Sequence, residues 1–371
     1  MRRHVLGLLI LLLVTSLTHV PPLFTVYDGE TAYHYTSKII YINRGSSNLV
    51  LGEDFRSAPL FPNSSWQKTY LLSVNQPYAT ALDLDQNKIL LLDLPPLLPN
   101  ENITFSYSLH VVRADRPIPH LTIHESGDLD SIPRELDEYC EAEGSWLVED
   151  EALRALAREI RRSTENSTNV LEIAISLVDW IGKHVEPISH DRPLYPNETY
   201  TLLQGDCDDQ SNLLITLCRI LQIPAYLQVG CIRNPGAPKE TTYWNSQVTS
   251  VLKNLGYHAW ALIYVPPWGW LPFDVTLAWE ASNPLAVITS AKVWKRDTIV
   301  IFDVVHSDWA GLGRRQKDHV ISSSLNIYLE DALELDDPGT EVVFWESPSF
   351  WIGAFAILLL IGGYVVLRRF S

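Results

Sequence analysis

Cys207 follows Gly205 and Asp206, and Leu214, Leu217, Cys218 and Leu221 recur behind it at helical spacing. Gly-Asp supplies a turn and an N-cap, so the cysteine takes the first helical position. Free backbone N–H groups and the positive end of the helix dipole favour a thiolate there, and the N–H of Cys207 itself is available to an oxyanion. Further along, Tyr257-His258-Ala259-Trp260 opens an apolar strand running to Val265, Pro266-Pro267-Trp268-Gly269 turns, and Trp270 to Asp274 returns. A tight hairpin of this kind can bring His258 and Asp274 side by side. A thiol set against a histidine that an aspartate orients has the chemistry of thiol acyl transfer, with no cofactor and no metal required.

Elements of two textures must position these groups. From Leu23 to about Arg116 the chain reads as short β segments: Tyr33 to Ile42, Thr69 to Val74, Lys88 to Leu92 and Ile103 to Val112, separated by Pro, Asn, Asp and Ser. Regular strands with turn chemistry between them predict a β-sandwich over 21–125. Asp83 to Asn87 resembles the start of a calcium loop, but Lys88 stands where the loop needs Gly and no distal Glu follows, so a hairpin turn is expected. His120 and His124 have no third ligand near them and read as a solvated linker.

After a Pro-interrupted connection the period changes. Glu149 to Arg162 and Asn169 to His184 read as amphipathic helices, the first with acidic residues leading and Arg trailing. The helix after Cys207 ends before Pro224, and Ala225 to Val229 reads as a buried strand. Beyond Asp274, the segment 285–305 reads as two β-like runs and Val320 to Leu329 as another. His306 and Asp308 read as a polar turn, and Glu330 to Glu341 as an acidic stalk.

These residues resemble the transglutaminase-like superfamily of papain-fold thiol enzymes. The resemblance rests on Gly205-Asp206-Cys207, the run Leu217-Cys218-Arg219-Ile220-Leu221-Gln222-Ile223-Pro224-Ala225, His258-Ala259-Trp260, and Gly269-Trp270-Leu271-Pro272-Phe273-Asp274-Val275-Thr276. It implies an α+β catalytic domain over 126–310, with Cys207 as nucleophile, His258 as general base and then acid, and Asp274 as orienter. The preceding β domain also looks like those fused to secreted archaeal and bacterial members. Trp260 and Trp268 are candidates for substrate binding; Trp268 and Trp270 read as strand packing or as one wall of an acyl channel, with packing the expectation for Trp270. Two departures stand out: Leu262 occupies a place that is often acidic, and Gln222 a place that is usually Gly.

The surroundings of the thiol are unusual. Asp206, Asp208 and Asp209 crowd it with negative charge and should raise its pKa against the helix dipole, leaving activation to the ion pair with His258. Residues Pro235 to Gly256 form an insertion that can line or cover the cleft. Gln204 and Trp180 are candidates for a second oxyanion donor. Cys218 belongs to an apolar helix face and reads as core; Cys140 and Cys231 could pair in an oxidising compartment or remain free.

Both extremes of the sequence bear on the compartment. Residues 1–20 carry Arg2 and Arg3 before a ten-residue apolar run, as a secretory signal or an uncleaved signal anchor does. Phe350 to Leu367 is uncharged and is followed by Arg368 and Arg369. Roughly 1.5 Å per residue makes it long enough for a hydrocarbon core, with 369–371 as a cytoplasmic tail. The expectation is a single-pass protein of the cell membrane, with residues 21–348 outside the cytoplasm, 311–348 forming a β extension and stalk, and 349–368 the anchor. Four sequons, at Asn63, Asn102, Asn166 and Asn197, fit that placement. The formal charge of −16, with 28 Lys and Arg against 44 Asp and Glu, excludes a nucleic-acid backbone as partner. The readings left are a membrane-anchored thiol enzyme acting on peptide or side-chain amides, a catalytically silent binding or adhesion module, and a surface-layer component in which the β domain does the work.

Overall fold

The computed structural model describes residues 29–278 and 283–336. The signal segment, the Phe350 to Leu367 stretch and the Arg pair lie outside the described residues. Among those described, no helix is long and apolar enough to cross a membrane.

Chain order begins with six strands: β1 (Glu30–Asn43), β2 (Ser57–Pro59), β3 (Gln67–Val74), β4 (Tyr78–Leu82), β5 (Lys88–Leu92) and β6 (Asn102–Ala114). Four helices follow: α1 (Glu151–Ser163), α2 (Val170–His184), α3 (Pro196–Leu202) and α4 (Cys207–Ile220). Strands β7 (Ala225–Arg233), β8 (Lys239–Tyr243), β9 (Val248–Lys253), β10 (Leu255–Val265) and β11 (Gly269–Phe273) come next. The remainder is α5 (Val275–Ala278), α6 (Ala286–Thr289), β12 (Thr298–Val304), α7 (Trp309–Ser323) and β13 (Leu325–Leu335). Helix starts are set by side-chain caps. The Asp150 carboxylate accepts from the N–H groups of Ala152 and Leu153, and Asn169 accepts from that of Glu172.

The C-terminal half is built on a four-stranded antiparallel sheet of order β11-β10-β7-β12. Helix α4 packs on it, enclosed by α1, α2 and α3, and Asp209 to Arg219 are all buried. Both faces of β7 and β12 are covered. Leu227, Val229, Val300 and Val304 face the helical core, while Cys231, Ile299 and Ile301 join a second core shared with the N-terminal strands. Burial on both sides explains why these strands are apolar almost throughout.

That second core belongs to a six-stranded sheet of order β3-β6-β1-β13-β9-β8, packed with a three-stranded sheet β2-β5-β4. The β unit is therefore not confined to 21–125. Three of its strands come from elsewhere: β8 and β9 from the insertion before His258, and β13 from beyond α7. The acidic run expected to be a stalk enters this sheet through Glu330 and Asp331. Glu330 pairs with Lys253 at 2.6 Å, and Asp331, 1 % exposed, accepts from the hydroxyls of Tyr35 and Tyr257. Charge read along the sequence suggested solvent; cross-strand partners bury it instead. Of the two β-like runs at 285–305, the first is the short helix α6 and a 3-10 turn, and only the second is a strand. Short apolar runs do not distinguish the two by periodicity. Val320, expected at the head of a strand, closes helix α7.

The Asp83 to Asn87 turn joins β4 and β5 and docks on the C-terminal half. Asp85 Oδ1 accepts from the backbone N–H groups of Val305, His306 and Ser307 at 2.9, 2.6 and 3.1 Å, and Asn87 exchanges two hydrogen bonds with the backbone of Asp303. The Asp85 carboxylate is thus engaged as an anchor between the two halves. His120 and His124 are exposed, as a linker requires. All four cysteines are free, with Cys140, Cys218 and Cys231 buried. Among the sequons, Asn63, Asn102 and Asn166 are exposed and Asn197 is half-buried.

Candidate active site

Cys207 is the first residue of α4, with Asp206 as N-cap. Gly205 is required by crowding, because a Cβ there would lie 2.6 Å from the Cβ of Asp209. The Asp209 carboxylate, 1 % exposed, accepts from the N–H of Leu194 at 2.7 Å and of Asp206 at 3.2 Å, pinning the loop that leads into the helix. Of the three aspartates around the thiol, this one serves the loop. The other two face the sulfur: donor atoms of Asp206, Cys207 and Asp208 lie within 4.8 Å of one another. Burial, then Asp208 and Asp206, push the half-buried thiol well above its usual range, while the backbone N–H groups of Ala259 and Asp208 at the sulfur pull the other way.

The contact with Ala259 brings the thiol to the histidine strand. β11 pairs with β10 only from Ala261 onward, opposite Phe273, so it leaves the Tyr257 to Trp260 stretch of that edge uncovered. His258 therefore stands next to the start of α4. Its Nε2 lies 2.9 and 3.0 Å from the two carboxylate oxygens of Asp274, with His258 8 % and Asp274 1 % exposed. The Asp274 N–H donates to the carbonyl of Val287, fixing its backbone at the end of β11. With Nε2 committed to the carboxylate, Nδ1 is the ring nitrogen left for the thiol.

Trp260 is core: it is 1 % exposed, its indole N–H donates to Gln228 at 3.2 Å, and Gln228 in turn donates to Asp303 at 2.7 Å. The ring centroid lies 5.9 Å from that of His258, and a Cβ on Gly230 would come within 2.7 Å of the indole. It buttresses the histidine and offers no face to a substrate. Trp268 sits in the turn beyond Val265. Seven residues at roughly 3.3 Å each place that turn about 23 Å along the strand from His258. Neither tryptophan is carried into the proposed site. Trp270 packs edge-on against Tyr139, Tyr226 and Tyr264. Trp180 stacks on His184 with centroids 4.5 Å apart, and Gln204 pairs with Glu186. His306 pairs with Glu143, and Asp308 caps α7 through the N–H of Gly311, so that turn is structural.

One neighbour was illegible in the sequence. Trp309, at the start of α7, donates its indole N–H to Asp208 at 2.6 Å. Asp206 takes a hydrogen bond of 2.6 Å from Ser189. Asp206, Cys207 and Asp208 are consecutive on one turn and two already accept from neutral donors, which suits proton and charge chemistry better than a closed metal shell.

Buried carboxyls also set the pH response. Burial raises Asp209 to about 7 and Asp303 to about 6. The native state keeps protons that the unfolded chain releases near pH 4, so this contribution is full at low pH and is lost as pH rises through 6 and 7. His110, lowered by burial, acts in the opposite sense below its usual value, but it is a single group. The full chain is expected to melt several degrees higher at pH 5 than at pH 8. Equal or reversed midpoints would mean that these carboxyls are ionised in the fold.

A helix-borne thiol set against a sheet-borne His–Asp pair is the layout of a thiol-enzyme fold of mixed α+β class. Residues 154–275 match the Transglutaminase-like superfamily, and the chain carries a domain of that superfamily. Among solved structures, a "putative cysteine protease" from Cytophaga hutchinsonii superposes with a TM-score of 0.50 at 16 % identity, covering 84 % of this chain and 92 % of that one. The periplasmic domain of TgpA from Pseudomonas aeruginosa, bound to ethylmercury, aligns at 13 % identity with a TM-score of 0.31, over 73 % of this chain and all of that one. At such identities the first likeness speaks for fold alone. No curated protein matches the chain closely.

Proposed function

We propose that the protein is a cysteine acyl-transfer enzyme, a peptidase, amidase or transglutaminase, acting on peptide or side-chain amides. The observation that carries this is the buried His258–Asp274 pair one residue from the Ala259 N–H that meets the Cys207 sulfur. Cys207 passes its proton to His258 Nδ1 and attacks the amide carbonyl. The oxyanion takes the N–H of Cys207 at the helix start. The imidazolium then protonates the departing amine, leaving a thioester that water or a second amine resolves, with the same histidine as base. Asp274 holds the ring and stabilises its charged form. The test is labelling of the full chain by an electrophilic thiol probe alongside turnover of peptide amides. Cys207→Ala should lose both, and a variant that keeps turnover would end the proposal. Burial and the acidic neighbours, which push the thiol's pKa up, favour a second reading, a silent binding or adhesion module. Labelling at Cys207 without turnover across broad substrate panels would support that one.

The amino-acid sequence supports a location outside the cytoplasm on a single membrane anchor, Phe350 to Leu367. External protease on intact cells should then remove the catalytic half and leave the anchor with the membrane. Protection of Cys207-bearing fragments in intact cells would overturn that topology.

A further inference from the structure

A row of side chains crosses three strands beside the histidine. Trp260 of β10 stands opposite Gln228 of β7, which stands opposite Asp303 of β12. The indole N–H donates to Gln228 Oε1 at 3.2 Å, and Gln228 Nε2 donates to Asp303 Oδ1 at 2.7 Å. Asp303 occupies this place because β12 carries a bulge between Val300 and Phe302. Without the extra residue Phe302 would stand opposite Gln228 and offer its amide no side-chain acceptor; bulges re-aim side chains in this way. Asn87, from the turn between β4 and β5, clasps the bulged strand. Its amide donates to the Asp303 carbonyl at 2.7 Å, and its Oδ1 accepts the Asp303 N–H at 2.9 Å. The neighbouring row is His258, Gly230 and Val300. Gly230 leaves room there that the indole fills: a Cβ would lie 2.7 Å from the Trp260 ring.

His258 and Trp260, two apart on one strand, share a face, with ring centroids 5.9 Å apart. β11 does not cover this stretch of β10, so β7 alone flanks it within the sheet. A buried indole N–H needs an acceptor, and a buried polar row whose members are satisfied is rigid. We propose that Gln228, aimed by Asp303, is a positioning residue for the reaction at Cys207: it fixes the indole against His258, and the indole keeps the imidazole between Asp274 and the thiol. This rests on the reading of Cys207 as nucleophile and His258 as its base. Gln228 touches neither substrate nor reacting atoms and acts through the two rings. The clasp by Asn87 carries the support back to the N-terminal strands, so the β unit takes part in holding the site.

The experiment is a double-mutant cycle, read by alkylation of Cys207 in the full chain with iodoacetamide near neutral pH, with Cys207→Ala as blank. Gln228→Leu should slow alkylation about fivefold or more while His258 is present, and leave the slower rate of His258→Ala unchanged. A role in folding alone would slow both backgrounds equally. Gln228→Glu combined with Asp303→Asn keeps the net charge and lets residue 228 accept from both neighbours; that pair should return the rate to within about twofold of wild type. No slowing by Gln228→Leu, equal slowing in both backgrounds, or no recovery in the exchanged pair overturns the proposal. If Gln228→Leu does not fold, Asn87→Ala in the turn decides by the same cycle, with a slowing of about twofold that again vanishes in His258→Ala. Failure of the underlying reading looks different: His258→Ala by itself would then alkylate as fast as wild type.

Discussion

Asp274→Asn should lower acyl turnover by about 10² to 10³ while leaving the thermal midpoint nearly unchanged. Both carboxylate oxygens lie at 2.9 to 3.0 Å from His258 Nε2, and both side chains are buried. An asparagine oxygen can still accept that N–H, so the ring keeps its place. What is lost is the negative charge that stabilises imidazolium as it forms and the bias that leaves Nδ1 free for the thiol. A comparable change in serine proteases costs on the order of 10⁴; a thiol needs less help from its base than a hydroxyl does. The loss should appear in kcat more than in KM, because the pair touches the transition state and not the cleft. Wild-type turnover in this variant would remove Asp274 from the mechanism.

Arg219→Leu should cost about 2–4 kcal/mol of stability, a large share of the roughly 5–15 kcal/mol that holds a domain folded. Arg219 is fully buried with no carboxylate partner among the described residues. Its guanidinium donates to the carbonyls of Ala225, Glu141 and Val305 at 2.9, 2.9 and 3.0 Å and lies 4.7 Å over the Trp146 ring. It thereby ties the end of α4 to the start of β7, to the loop before α1 and to the segment after β12. A leucine would leave the carbonyls of Ala225 and Glu141 without this donor, at about 1–3 kcal/mol each before relaxation, while that of Val305 keeps the Trp146 indole N–H at 2.8 Å. Lysine keeps the charge but not the planar fork, so Arg219→Lys should recover only part of the loss. Urea midpoints of the three proteins check the order; a leucine variant within 1 kcal/mol of wild type, about the net worth of one hydrogen bond, would show that water enters.

The parts of this molecule that were legible in the sequence are those whose signals are local. The N-cap before Cys207, the 3.6-residue period of α1, α2 and α4, the alternation of β1 and the hairpin that joins His258 to Asp274 each lie within some twenty residues. Trp309 was missed because its bond to Asp208 spans about a hundred residues and no spacing announces it. Alternation also names the face of a strand, not its partner. The parallel pairing of β13 with β9, which carries an insertion into the N-terminal sheet, therefore left no mark in the pattern. The three aspartates illustrate the same limit: composition assigned all of them to the thiol, whereas Asp209 turns inward to hold Leu194.

Strand β1 sits between β6 and β13, with Tyr33 opposite Leu335. The two partners of that pairing are about 300 residues apart, a contact of very long range whose loop entropy must be met before it forms. A ribosome working at roughly 5–20 residues per second needs about 15–60 s to make that distance. Throughout this interval β1 presents an unpaired edge, β9 adds a second once it is made, and the core containing Cys231, Leu255 and Leu333 stays open. The thiol and its histidine are made well before the strand that closes the sheet behind them. A nascent chain therefore holds Cys207, His258 and Asp274 while the sheet behind them still lacks β13, and the waiting strand edges are templates for wrong pairing.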